Sequence, residues 1–136
     1  METKEMEIIY QRVATILNEM IPEDWRKIFL YSEVREGFSQ VFYYYYPLNN
    51  KKSIYNLDII DRFDVDKRYH KNLKQELYEC FEVLWNEFRL QDQEQWTNLT
   101  FILDNTGQMK VNYRYDDISQ LSPVEKQEEW EAEYLK

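Results

Sequence analysis

Phe38-Ser39-Gln40-Val41-Phe42-Tyr43-Tyr44-Tyr45-Tyr46-Pro47 is the stretch that decides the fold. Aromatic and β-branched residues suit a pleated surface, and Pro47 closes the run because it cannot donate to a ladder. Side chains alternate across a strand, so Phe42 and Tyr44 point one way and Val41, Tyr43 and Tyr45 the other. A half-buried strand carries one apolar row and one polar row. Two rows of large apolar side chains imply more than a simple half-buried sheet.

The flanking sequence supplies the partners. Residues 25–32 set Trp25, Lys27, Phe29 and Tyr31 against Arg26, Ile28, Leu30 and Ser32, again with bulk in both rows. Residues 33–37, ending at Gly37, make the reversal. A second hairpin joins residues 96–103 to 109–115 through Asp104-Asn105-Thr106-Gly107, residue types that tolerate positive φ. Met6, Ile9, Tyr10, Val13, Ile16, Leu17 and Met20 recur at helical spacing up to the break at Pro22. Tyr69, Leu73, Leu77, Cys80, Phe81, Leu84, Trp85 and Phe88 do the same within a helix expected over residues 64–90. Residues 54–60 carry only a weak extended signal. Ser122-Pro123-Val124-Glu125 forms a capping box with proline at the first helical position, opening a short acidic helix over residues 122–136. The expectation is one α+β domain over residues 1–136, ordered αββαββα. Its two hairpins make a four-stranded antiparallel sheet, two long helices cover one face, and a short C-terminal helix follows.

Charge restricts the partners. Against 17 basic residues stand 26 acidic ones, a formal −9. Nucleic acid and anionic membranes reward lysine and arginine patches, so direct binding to either is not expected, whereas a basic protein would be attracted. No charged-then-apolar leader opens the sequence and no apolar run approaches ~20 residues, which reads as cytoplasmic. Cys80 stands alone and has no internal disulfide partner. Gly37 and Gly107 are the only glycines, too few for phosphate-cradling loops. With one histidine and one cysteine, soft-metal sites and histidine-based nucleophile systems are nearly excluded, and His70, beside Lys67, Arg68 and Lys71, reads as a surface residue.

Carboxylates are the remaining chemistry. Asp58, Asp61, Asp64 and Asp66 would suit a hard cation, yet acidic residues before and within a helix's first turn are better explained by its dipole. Glu76, Glu79, Glu82 and Glu87 form either a solvated helix face or a surface for a basic protein, and Asp116-Asp117 allow the same two readings. Tyr43 and Tyr45 belong to the core or, if their row faces away from the helices, to a contact surface; tyrosine is rigid, large and half polar. Such a row would also leave a homodimer open.

Several of these features, taken in order, resemble the YezG/EsaG-type immunity proteins, antitoxins of Gram-positive bacteria. They are Ile21-Pro22 followed by Trp25, the strand Val41-Phe42-Tyr43-Tyr44-Tyr45, the acidic helix with Leu84-Trp85 and Phe88, and the segment from Glu94 to Trp96. The pattern closes with Phe101, Asp104, Gly107, Lys110-Val111, Tyr113 and Tyr115-Asp116. The resemblance covers most of the chain, from about Met6 to Asp117. It implies stoichiometric neutralisation of a cognate toxin, commonly a nuclease domain of a secreted antibacterial effector, with no catalytic residues and no cofactor. The charge agrees: a nuclease presents a basic cleft, and complementary fields raise association rates by about one to three orders of magnitude at low salt. Two other classes stay open on the residues alone, a non-catalytic adaptor and a carboxylate- or metal-dependent enzyme.

Overall fold

The computed structural model describes residues 2–135. Helix α1 (Lys4–Met20) leads into the hairpin β1 (Trp25–Arg35) and β2 (Phe38–Pro47). Strand β3 (Ile54–Tyr55), a 3-10 turn (Asn56–Asp58) and α2 (Ile59–Arg62) precede the long α3 (Lys67–Leu90). The second hairpin, β4 (Asn98–Asp104) and β5 (Met109–Arg114), precedes α4 (Pro123–Tyr134). The sheet has five strands in the order β3-β2-β1-β4-β5, antiparallel at every pairing.

Local chemistry sets the boundaries. The Thr3 hydroxyl accepts from the Met6 amide, and α1 ends at Ile21 ahead of Pro22. The Asp66 carboxylate accepts from the Arg68 and Tyr69 amides, which starts α3 at Lys67 rather than near Asp64. Ser122 accepts from the Glu125 amide and Pro123 occupies the first turn of α4, as the capping box predicts. In the β4–β5 turn the Asp104 carboxylate accepts from the Thr106 hydroxyl and amide and from the Gln108 amide. Those bonds, led by the one from the Thr106 hydroxyl, hold its pKa below the usual carboxylate value.

Strand β1 lies at the centre, pairing Leu30 with Tyr43 on one side and with Phe101 on the other. Its inward row, Ile28, Leu30, Ser32 and Val34, joins Val41, Tyr43, Tyr45, Leu99, Phe101 and Leu103 beneath α1 and α3. The two helices deliver Val13, Ile16 and Leu17, and Leu77, Phe81 and Leu84, all at most 1% exposed. Each such side chain contributes about 1.5–3 kcal/mol by leaving water, so this layer is the main source of stability.

Three further expectations are corrected. The fifth strand is β3, whose two residues pair Tyr44 with Tyr55 and Tyr45 with Ile54. Beyond it the Tyr43 amide donates to the Asn56 side chain, so a buried asparagine continues the sheet edge where the strand stops. Strand β1 runs on to Arg35, which places Glu33 inside the strand rather than in the turn. His70 is 6% exposed, not a surface residue. It precedes Leu73 and Leu77 by three and seven positions and therefore shares their buried stripe.

Candidate protein-binding surface

The four glutamates proposed as a ridge all lie on α3, but not in one line. At 3.6 residues per turn they span roughly 140° of the helix circumference. Glu76 and Glu87 face α1: Glu76 pairs with Arg12, and Glu87 accepts from Gln91, whose amide also donates to Thr3. Glu82 lies on the opposite flank and accepts from Ser39 of β2 at 2.9 Å. Only Glu79 of the four is free of hydrogen bonds and ion pairs among the described residues, and it is exposed. The ridge is thus partly spent on holding α3 to its neighbours.

Tyr43 and Tyr45 are not available to a partner. They are 1% and 0% exposed and sit in the inner core, because their row is the one that faces α1 and α3. The Tyr45 hydroxyl donates to Glu23 at 2.7 Å, whereas the Tyr43 hydroxyl is buried without a partner among the described residues. Burial raises the pKa of both.

The other row, Phe42 and Tyr44, is covered by α4. Trp130 inserts into a box of Tyr31, Phe42 and Tyr44, edge-on to Phe42 with ring centroids 5.2 Å apart and stacked on Tyr44 at 5.8 Å. Its indole N–H donates to Thr100 at 2.9 Å, so the polar edge of the ring is satisfied in its burial. Tyr44 donates its hydroxyl to Glu131 and accepts from Gln127.

Helix α4 follows β1 rung by rung. Lys126 meets Glu33, Trp130 meets Tyr31, and Tyr134 meets Phe29. Four helical residues rise ~6 Å and two strand residues ~6.6 Å, so the two periods nearly match. Glu33 is 2% exposed and accepts from Lys126 at 2.9 and 3.1 Å, from Arg35 at 2.6 Å and from Tyr31 at 3.0 Å. A buried carboxylate with two cations and a hydroxyl around it is compensated rather than stranded.

With Lys126, Trp130 and Tyr134 turned inward, Glu125, Glu128 and Glu129 face outward, exposed and without partners among the described residues. Glu133 pairs with Arg114 of β5. Asp116 and Asp117 are exposed beside this helix, on the side of the sheet away from α3. The Asp117 carboxylate accepts from the Ser119 hydroxyl and amide, which lowers its pKa. Burial raises the pKa of Tyr31 and the bond to Glu133 raises that of Arg114, with the nearby Asp116 charge a minor addition to each.

The structure therefore divides the predicted carboxylates into two acidic faces on opposite layers, α3 with Glu79 and α4 with Asp116 and Asp117. Glu125, Glu128 and Glu129 were not singled out from the sequence, although counting around the helix from Trp130 would have turned them outward. Among the described residues no three histidine, cysteine, aspartate or glutamate side chains converge as a metal site, and no helix is long and apolar enough to cross a membrane.

Residues 6–136 match the family model described as YezG-like, immunity protein YezG-like. The chain is 39% identical over 132 residues to an immunity protein YezG of Bacillus subtilis, covering 96% of this chain and 87% of that one. It is 36% identical over 132 residues to an immunity protein YezG of Bacillus spizizenii, covering 96% and 82%. A more distant relative is the type VII secretion system protein EsaG of Staphylococcus aureus, 28% identical over 109 residues, covering 80% of this chain and 67% of that protein.

Proposed function

The chain belongs to the YezG-like immunity protein family, and from that premise we propose that it neutralises a cognate secreted toxin, a basic nuclease domain, by stoichiometric binding without catalysis. Residues 1–136 act as one binding domain in the cytoplasm of a Gram-positive cell, where unbound toxin would reach the chromosome. The name of the Staphylococcus aureus relative ties that protein to type VII secretion, which supports a secreted effector as the source of the toxin.

The observation that carries the reading is the pair of outward carboxylate faces, Glu79 on α3 and Glu125, Glu128 and Glu129 on α4. These charges are not used to hold the fold together. A surplus of unspent acid on a rigid scaffold resembles the phosphate charge that a nuclease cleft is built to receive. Self-association is the weaker use of the surface. Strand β5 is an open edge, but it exposes Lys110, an edge charge of the kind that discourages strand-to-strand pairing.

The test is purification of the tagged chain from cells that co-express a candidate toxin domain, followed by association kinetics. A single tight 1:1 complex is expected. Reversing one acidic face at a time, with Glu79→Lys or with Glu125→Lys plus Glu128→Lys, should slow association several-fold to about tenfold at low salt for the face that meets the toxin. Absence of any stoichiometric partner, or kinetics unchanged in both variants, removes the electrostatic reading.

A further inference from the structure

Resting on the toxin-binding reading, we propose that the open edge of β5 takes up an extended segment of the basic protein partner as a sixth strand, its alternate side chains entering the groove between β5 and α1. The two edges of the sheet are built differently. On the β2 side the edge is closed. Strand β3 pairs with Tyr44 and Tyr45, the Asn56 side chain accepts from the Tyr43 amide, and the Tyr78 hydroxyl donates to the Val41 carbonyl at 3.3 Å. No comparable cover lies on β5 among the described residues.

The register shows which backbone groups are left over. The Asp104 amide donates to the Gln108 carbonyl, and pairing continues without a shift through Ile102–Lys110, Thr100–Asn112 and Asn98–Arg114. Bonding alternates along an antiparallel strand. Lys110, Asn112 and Arg114 therefore turn their N–H and C=O groups to β4, whereas Met109, Val111 and Tyr113 turn theirs outward. Donors and acceptors repeating at every second residue are complementary to another strand, not to a helix whose backbone bonds are used internally.

The groove beside this edge says what the segment carries. It encloses about 500 Å³. Ile8 of α1, 62% exposed, lines it together with Met109 and Val111. A strand about 4.8 Å beyond β5 would continue the inner face of the sheet, so large apolar residues at its alternate positions would be buried there. In the groove walls two carboxylates, Glu2 and Glu7, stand against one ammonium, Lys4, which favours a basic residue on the segment. On the other face of β5, Arg114 is paired with Glu133, while Lys110 is exposed and has no ion-pair partner among the described residues. An edge lysine discourages indiscriminate pairing, so Lys110 selects a segment with an acidic or small polar residue beside it.

Residue-resolved hydrogen exchange of the full chain, alone and bound to a candidate toxin domain, tests the assignment. The Val111 and Tyr113 amides, open in the free chain, should gain about tenfold or more in protection, and the Asn112 amide, bonded to β4 throughout, should change less. Ile8→Gln, an uncharged change at an exposed helix position, should weaken toxin binding about tenfold, mainly through faster dissociation. Val111→Pro, which removes an outward N–H but no bond to β4, should do the same. A 1:1 complex in which Val111 and Tyr113 exchange as before, or in which Ile8→Gln binds undiminished, overturns strand addition and leaves the toxin-binding reading standing. Protection at those amides that rises with the concentration of the chain alone would make the occupant a second copy and equally overturn it. If no candidate toxin domain forms a stoichiometric complex, it is the toxin-binding reading that fails, and the sixth strand falls with it.

Discussion

Tyr43 and Tyr44 are neighbours in the chain and belong to two differently built halves of the molecule. Tyr43 enters a broad core under α1 and α3 that is held by shape, to the point that its own hydroxyl is buried without a partner. Tyr44 enters a narrow box under one short helix, and its hydroxyl is bonded on both sides, to Glu131 and Gln127. The inner half gains stability from apolar area. The outer half has one tryptophan and compensates with polar ties, each worth only about 1 kcal/mol net when exposed and more when buried. The same strand thus supports one layer held by broad apolar burial and another held by a single ring and its polar ties.

The sharpest way to break that contrast is to remove one large ring from each half. Phe81→Ala should cost about 4 kcal/mol and lower the urea midpoint of the whole chain, because Phe81 is 1% exposed at the centre of the inner layer. Trp130→Ala should cost about 3 kcal/mol, with hydrogen-exchange protection lost in α4 and retained in β1 and β4. Loss of protection across the whole sheet in the second variant would mean that the two halves form one cooperative unit. Next in size is Glu33→Gln, which leaves the Lys126 ammonium, 9% exposed, without its charge partner and should cost roughly 3 kcal/mol. Adding Lys126→Met should restore most of that in a double-mutant cycle. Additive losses would show that the pair does not couple helix to strand.

The smallest expected effect belongs to the inner half. Burial, reinforced by nearby Lys74, lowers the pKa of His70 below its ordinary 6.5, so the folded chain favours the neutral ring. Its contribution is complete above that value and is lost as pH falls, since the unfolded chain takes up the proton first. Urea unfolding from pH 8 to pH 5 should therefore show a steeper loss of stability for the wild type than for His70→Phe. Parallel slopes would count against a proton-linked role for this ring.

Much of this was legible in the sequence, and the gaps have physical causes. Alternation along Val41 to Tyr45 separates the two rows correctly, and their double bulk implies more than a half-buried sheet. It does not say which row meets α1 and α3, since aromatic residues fill both; Tyr43 and Tyr45 were for that reason left open as contact residues. Glu33 read as part of a turn because its partner Lys126 lies 93 positions away, far beyond any local pattern. Strand β3 has two residues, too few to show a period. The α3 glutamates were read as one ridge although three of them bond to other parts of the chain, which spacing alone does not reveal.

The rung-by-rung match of α4 to β1 leaves the helix no second resting place. A slide of one turn would carry the Trp130 indole onto the Glu33 carboxylate, or the Lys126 ammonium onto the Tyr31 ring, and either exchange sets charge against hydrocarbon in a sealed space. Helix α4 is accordingly a digital element: seated in one register or lifted off, with nothing gained by stopping between.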